Sequence, residues 1–286
     1  MMKHLPDRNM RAGQVILHGD CWPVVSAVEI LVKSIRPGYQ CSTVPDLPSL
    51  IQRLTDAPGA SLILCLRPRE HIYLFYALRN TLYRHPVLVI SDEMLFSDRV
   101  LLRILGQIPC MMHQSLLRVN AGRRLCEWSF TGRSCCPEDD MLTDFLLYPA
   151  LPPGLPDTLP SFPLEAPLMN YLSLIIYRDM DNLGITPFRL RLLQAMYTGH
   201  QSYEELASLM NVSPRKIWNE KHRLITQLGM QGRLRDLLYG TRFCSFIQRT
   251  PFMESGEGER LRVGAGAGET PVHEDNHFVM TSGFSG

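Results

Sequence analysis

Residues 14–120 alternate short apolar runs with stretches of helical period. Gln14–His18 (QVILH) predicts a strand. Trp22–Ile35 predicts a helix, with apolar positions at Val24, Val25, Val28, Ile30, Leu31 and Ile35. Tyr39–Val44 is a second strand candidate, and Leu47–Leu54 a short helix started by Asp46. Ala60–Leu66 (ASLILCL) is apolar throughout and bounded by Pro58-Gly59 and Arg67-Pro68, the pattern of a parallel strand buried on both faces. A helix over Glu70–Tyr83, a strand over Pro86–Ile90, a helix over Phe96–Leu105 and a short fifth strand over Pro109–Met112 complete the series. Strand and helix alternating at this spacing predict a doubly wound parallel α/β sheet with helices on both faces.

The pattern changes at residue 121. Eight prolines are spread over 121–167, and PALPPGLPDTLPSFP reads as an extended, semi-rigid linker. One helix is expected just before it, at Glu138–Leu147, and another after it, at Leu168–Met180. Helical signals then come close together. Thr186 precedes Pro187, an N-cap followed by proline at the first helical position. Leu190, Leu193 and Met196 line that helix to about Tyr197, and Gly199 stops it. Ser202 with Glu205 three residues on forms a capping box for the next helix, whose apolar face is Leu206, Ala207, Leu209 and Met210. Asn211 suits a left-handed turn. Ser213 then caps a third helix with Pro214 at its start and Ile217, Leu224, Ile225 and Leu228 as its core stripe. Gly229 ends it, and Leu234–Tyr239 adds a short fourth helix. The expected organisation is a unit over 1–120, a linker over 121–167, an all-α unit over 168–250 and a disordered, Gly-rich tail over 251–286.

Composition narrows the chemistry. The 286 residues are 45% hydrophobic with a formal net charge of +1, which says nothing about partners. Charge is local instead: from Thr186 to Phe243 nine Lys/Arg face four acids. No apolar run approaches membrane-spanning length, and the polar start lacks the apolar core of a signal peptide, so a cytoplasmic chain with no membrane partner is expected. The eight cysteines lack CxxC spacing and read as reduced thiols, the adjacent Cys135–Cys136 pair included. GAGAG in the tail has neither the preceding strand nor the following Lys-Ser/Thr of a phosphate loop. His273 and His277 lie in a flexible context and read as solvated charge. No metal, cofactor or ordered nucleophile–base set is expected, and so no enzyme.

Thr186-Pro187, Glu205-Leu206-Ala207, Val212-Ser213-Pro214-Arg215, Ile217 and Leu228-Gly229 together resemble the LuxR-type helix-turn-helix domain of the NarL/FixJ group of regulators, over roughly 60 residues. The resemblance implies that the third helix enters the DNA major groove with its N-terminal half toward base edges. The residues on its outer side, Ser213, Arg215, Lys216, Trp218, Asn219, Lys221, His222 and Arg223, are the expected DNA-binding set. Lys216 and Lys221 suit phosphates or guanine, Asn219 suits adenine, and Ser213 suits a phosphate at the helix start. Trp218 suits either packing against neighbours or lying along the sugar–phosphate backbone. By the same resemblance the fourth helix makes a dimer contact. The chain departs from the family at Phe188 and Arg189, where an acid follows Thr-Pro, at Trp218, and at Glu220, where a His is common. An acid at Glu220 is expected to weaken phosphate contacts.

The order of elements in 14–120 is similar to the receiver domains that precede such units. A working receiver needs an acidic pair after strand one, an Asp phosphoacceptor after strand three, a Ser/Thr after strand four and a Lys after strand five. Asp20 and Ser91 match two of these places, as remnants or structural caps. Strand three ends in Cys65-Leu66-Arg67-Pro68, and His113-Gln114 follow strand five. A thiol does not replace a carboxylate in acyl-phosphate chemistry, so a degenerate receiver without aspartyl phosphorylation is expected. Two functions fit: a regulator that binds promoter DNA as a homodimer or as a heterodimer with another regulator, or an adaptor that pairs with another regulator and binds DNA weakly or not at all. Glu220 and Trp218 motivate the second.

Overall fold

The computed structural model describes residues 13–116, 141–154, 159–199, 202–231 and 234–253. Cys135–Cys136, GAGAG, the His273/His277 pair and most of the expected tail lie outside the described residues. Five strands, β1 (Gln14–Gly19), β2 (Gln40–Thr43), β3 (Ser61–Cys65), β4 (Val87–Ser91) and β5 (Cys110–Met112), form one parallel sheet in the order β2-β1-β3-β4-β5. This is a doubly wound sheet whose order reverses between β1 and β3, and such folds open their cleft at the carboxyl ends of the strands there. β3 and β4 are buried at every position, as their uninterrupted apolar runs require.

Helix α1 (Trp22–Ile35) covers one face together with α5 (Met141–Leu147). Val25, Val28, Val32, Leu142 and Leu146 pack there on Val15, Leu17, Ile63 and Ile90. Helices α2 (Leu47–Asp56), α3 (Ile72–Leu82) and α4 (Phe96–Ile104) cover the other face. Asp46 caps α2 by accepting a hydrogen bond from the Ser49 amide at 2.8 Å, as its type and position predict.

The C-terminal helices are α6 (Glu165–Asn182), α7 (Pro187–Tyr197), α8 (Tyr203–Leu209), α9 (Pro214–Gln227) and α10 (Leu234–Gly240). Three of their ends use the same device. Gly184, Asn211 and Gly229 take φ of +72°, +51° and +58°, and the next amide reaches back five residues: Ile185 to Met180, Val212 to Ala207 and Met230 to Ile225, each at 3.0 Å. These are Schellman ends, in which a left-handed residue lets orphan carbonyls find donors while an apolar residue turns inward. Asn211 is the only one of the three with a side chain, and Asn tolerates that conformation better than other such residues.

Three expectations need correction. The prolines of the segment before α6 do not leave a free spacer. The Gly154 amide donates to the Gly106 carbonyl at 2.9 Å, the Phe162 amide to the Tyr76 hydroxyl at 2.5 Å, and the Phe162 ring lies against Tyr76 and Tyr171. Extended backbone has few internal partners, so it takes them from α3 and the turn after α4. Helix α6 also starts at Glu165, three residues before Leu168, because a proline such as Pro167 is tolerated in a first turn, where its missing amide has no partner to lose. Phe252, expected to belong to the tail, is held in place. Phe252 stacks on Tyr76 with ring centroids 6.0 Å apart and meets Tyr73 edge-on at 5.4 Å. A single Phe at the end of the helical pattern marks no element, but here it finds an aromatic surface.

The two units share a core. The cluster on the α2–α4 face of the sheet runs on without a break into Leu172, Ile176, Leu193, Leu206, Ile217, Leu224 and Leu237. Helix α4 carries the junction: Ser97 Oγ donates to the Tyr239 carbonyl at 3.0 Å, Arg103 pairs with Asp179, and Arg99 donates to the Leu228 carbonyl and, at 3.3 Å, to that of Gly229.

Candidate nucleic-acid interface

Helix α9 is anchored from one side and open on the other. Ile217, Leu224, Ile225 and Leu228 are buried, as the stripe predicts. Ser213 caps the helix, its hydroxyl accepting from the Lys216 amide at 3.3 Å. Ser213, Arg215, Lys216, Trp218, Asn219, His222 and Arg223 are exposed, and Lys221 is half-buried. The eight predicted residues therefore all belong to one helix and its cap, and seven of them stand clear of the core. The α8–α9 turn at Asn211 sets the helix across its neighbours, and three buried residues fix its rotation, so which side chains point outward is decided by packing.

The outward side chains are not all free. Lys216 Nζ lies 5.2 Å from the centre of the Phe188 ring, and Lys221 Nζ lies 5.3 Å from that of Tyr203, whose hydroxyl it also approaches at 3.3 Å. Aromatic faces attract ammonium groups weakly at exposed sites, enough to bias a flexible stem without neutralising its charge. Trp218 stacks on His222 one turn on, with centroids 5.4 Å apart and planes 4° from parallel. Trp218 remains 52% exposed, so the pair forms an aromatic ledge on the open side of the helix.

Glu220 behaves differently from its expectation. It accepts from Arg189 Nε at 2.8 Å and from Arg223 Nη1 at 3.0 Å, and Arg189 also reaches Gln227 at 2.6 Å. The hydrogen bond from Arg189 is the main cause holding its carboxyl below the usual range. Its charge is thus balanced from α7 rather than presented bare to a phosphate. Two departures that look independent in the sequence, Arg189 and Glu220, are one ion pair. Sequence reasoning missed Arg189, Phe188 and Tyr203 as partners of α9. The signal was there in the pairing of a basic departure with an acidic one, but only the crossing of α7 and α9 brings positions 31 residues apart together.

A depressed carboxyl contributes stability that is present above its unfolded value, about 4.3, and is lost as pH falls through the folded one. Glu220→Gln is therefore expected to melt below the wild type near neutrality, with the gap closing as pH falls below the usual carboxylate range. Melting curves followed by circular dichroism against pH check this; a gap that does not depend on pH would assign the effect to packing.

The cleft at the strand ends, the place of a receiver's chemistry, has a volume of about 350 Å³ and is lined by Asp20, Cys65, Arg67, Glu70, Asp92 and Arg249 among others. Cys65, at the end of β3, is buried, and burial pushes its thiol up to about 12. Arg67 holds Asp92 through two hydrogen bonds, at 2.8 and 2.6 Å. Asp20 accepts from Arg249 at 2.6 Å and lies 3.4 Å from His71, the group chiefly responsible for lowering its pKa. Ser91 is buried, and its hydroxyl donates to the Glu93 carbonyl at 2.7 Å. Both residues are thus engaged in structural contacts, Ser91 with its own turn and Asp20 across the chain. Among the described residues no group of His, Cys, Asp and Glu is arranged to hold a metal ion, and no helix is long and apolar enough to cross a membrane.

No family model matches the chain, and no curated protein matches it. Among solved structures it is similar to the two-component response regulator RcsB in complex with DNA, at 15% identity over 80% of this chain and 98% of that one, with a TM-score of 0.46. It is similar also to RcsB from Salmonella enterica serovar Typhimurium bound to the promoter rprA, at 15% identity over 79% and 97% of the two chains and a TM-score of 0.43. Full-length FixJ from B. japonicum gives 12% identity over 79% and 94%, with a TM-score of 0.31. The chain's own elements are a doubly wound parallel α/β unit followed by an all-α unit.

Proposed function

We propose that the chain is a cytoplasmic transcription regulator that binds double-stranded DNA through α9, as a dimer and without aspartyl phosphorylation, and that it is not an enzyme. The observation that carries this reading is the outward side of α9. Arg215, Lys216, Lys221 and Arg223 bring four positive charges to one helix, Asn219 stands exposed among them, and Ser213 marks the helix start. A concentrated positive face releases counterions from phosphates, and an Asn on the same side supplies a bidentate partner for adenine. The neutralisation of Glu220 by Arg189 supports it further, since it removes one of the two reasons for preferring an adaptor. At the strand-end cleft, Cys65 in the phosphoacceptor's place and the engagement of Asp20 and Ser91 support regulation by a partner or by abundance.

Salt dependence tests the proposal. Binding of the full chain to duplex DNA, followed by fluorescence anisotropy, is expected to weaken steeply between about 50 and 200 mM salt, with a log–log slope of about −0.9 for each phosphate contacted. An adaptor that does not use DNA gives no such slope, and a flat response sinks the reading.

A further inference from the structure

A second cavity lies beside the strand-end cleft. It has a volume of about 360 Å³ and is lined by Arg69, Glu70, Arg235, Tyr239, Ile247 and Arg249. Three separate segments build it: the 3-10 turn Pro68–Glu70 that follows β3, helix α10, and the chain from the 3-10 turn Ser245–Ile247 to Arg249. Arg235 and Tyr239 stand four residues apart on α10, so one face of the helix carries both, while Asp236 and Leu237 turn inward and are buried. None of the lining residues belongs to α9 or to the expected DNA-binding set.

Three guanidiniums face one carboxylate in this lining, and they are satisfied unequally. Arg69 is buried and fully engaged: Nη1 donates to Asp98 at 2.6 Å and Nη2 to Glu93. Glu70 is held by Arg67 Nη1 at 3.0 Å and by Arg249 Nε at 2.9 Å. Arg249 also gives Nη1 to Asp20 at 2.6 Å, which leaves its Nη2 without a partner among the described residues. Arg235 is exposed and makes no ion pair or hydrogen bond among the described residues, and the Tyr239 hydroxyl makes none either. The cavity is left with one positive charge that no acid balances, a spare guanidinium nitrogen and a phenol hydroxyl. All of these donate, so the chemistry they are short of is an anionic acceptor.

Two further features narrow the ligand. Phe246 is 72% exposed and stands at the rim, next to Ile247 in the chain and beside Tyr239 in space, with ring centroids 6.3 Å apart and planes at 60°. It adds an apolar ring surface to a lining that is otherwise mostly polar, which suits a flat partner. Donors from three side chains suit a phosphate, whose three terminal oxygens all accept, better than a carboxylate with two. Arg249 is already held from behind by Asp20 and Glu70, so a ligand need not order it. We propose that this cavity binds a small aromatic phosphate, the chemistry of a nucleoside monophosphate, with the phosphate among Arg235, Arg249 and the Tyr239 hydroxyl and the ring against Phe246. The volume falls in the range of about 300–1,000 Å³ that small-ligand sites occupy. The site stands whether or not α9 binds DNA.

Isothermal titration calorimetry of the full chain tests the site, with adenosine monophosphate and phenyl phosphate as probes. Adenosine and inorganic phosphate each carry half of the chemistry and serve as controls. Adenosine monophosphate is expected to bind saturably at one site with a Kd below about 1 mM, and each control at least roughly tenfold more weakly. Arg235→Ala is expected to weaken the nucleotide by roughly tenfold or more, Arg235→Lys to restore part of the loss, and Tyr239→Phe and Phe246→Ala to weaken it by roughly threefold to tenfold. Arg235 has no partner to lose among the described residues, so the melting curve of Arg235→Ala is expected to match the wild type and to exclude misfolding. A nucleotide that binds more tightly than phenyl phosphate shows that ribose or base is read; equal affinities show that ring and phosphate suffice, and both support the site. Absence of saturable binding by either probe overturns it, as does inorganic phosphate binding as tightly as the nucleotide. Nucleotide binding that survives Arg235→Ala but is lost in Lys216→Ala with Lys221→Ala places the ligand on α9 and overturns it too. If Arg235→Ala weakens duplex DNA while neither probe binds, the cation serves the DNA backbone and the small-ligand site falls.

Discussion

Asp98→Ala is expected to cost about 3–5 kcal/mol of folding stability, the largest loss for a single polar side chain in this protein. Asp98 is wholly buried and accepts from the Arg69 amide at 2.7 Å, from Arg69 Nη1 at 2.6 Å and from the Leu95 amide at 2.8 Å. Removing the carboxylate strips a buried guanidinium of its most deeply buried counter-ion; Glu93, which also pairs with Arg69, is a quarter exposed and compensates only in part. Two backbone amides lose their acceptor at the same time. Replacing Arg69 and Asp98 together by apolar residues of similar volume is expected to recover much of the loss, because an intact buried pair contributes little beyond what packing would, while a broken one is costly. Urea unfolding of the three variants checks both statements. Asp98→Ala within about 1 kcal/mol of wild type would mean that water reaches Arg69.

The position of this pair gives the measurement a second use. Asp98 sits in the first turn of α4, the helix on which the C-terminal unit rests, and the carbonyl of Arg69 itself accepts from Gln248 Nε2. The network therefore sets the surface on which the two units meet.

The second large effect concerns DNA. Lys216→Ala with Lys221→Ala is expected to weaken binding to any duplex at least roughly tenfold near 0.1 M salt and to make the salt slope shallower by about one for each phosphate contact removed. Both ammonium groups lie beside aromatic rings that hold their stems without pairing their charge, so their removal leaves no buried group unsatisfied, and melting temperature should hardly move. Asn219→Ala is expected to act otherwise, relaxing discrimination at a single base pair by about 1–3 kcal/mol while leaving the salt slope alone. A competition mobility shift against a set of single-base variants separates the two behaviours. Equal losses across all sequences for Asn219→Ala would place it on phosphates instead of a base edge.

Much of this architecture is legible in the chain as written. Short apolar runs and period-3.6 patterns, with proline and glycine at the boundaries, place the five strands and the helices between them to within a few residues, because a strand covered on both faces and a helix covered on one must hide apolar side chains at spacings set by their own geometry. The caps at Asp46, Thr186, Ser202 and Ser213 and the left-handed turn at Asn211 are equally local, since each joins a side chain or a backbone angle to amides no more than five residues away. The outward set on α9 follows from the stripe Ile217, Leu224, Ile225 and Leu228 by simple subtraction.

What lay beyond the sequence is everything joined across the chain. Arg189 meets Glu220 only because α7 crosses α9, and that meeting pairs an acid that stands alone in the sequence. Arg249 reaches Asp20, 229 residues away, and Thr250 reaches His71, 179 away, with no periodic signal at either end. The Pro-rich segment and Phe252 have compositions that promise little structure, and they gain it from a surface that exists only once α3 is packed. Local pattern determined which elements form and which faces they bury, since those depend on neighbours along the backbone. Tertiary structure alone decided which charges are balanced and which faces are covered, since electrostatics and burial depend on distance in space.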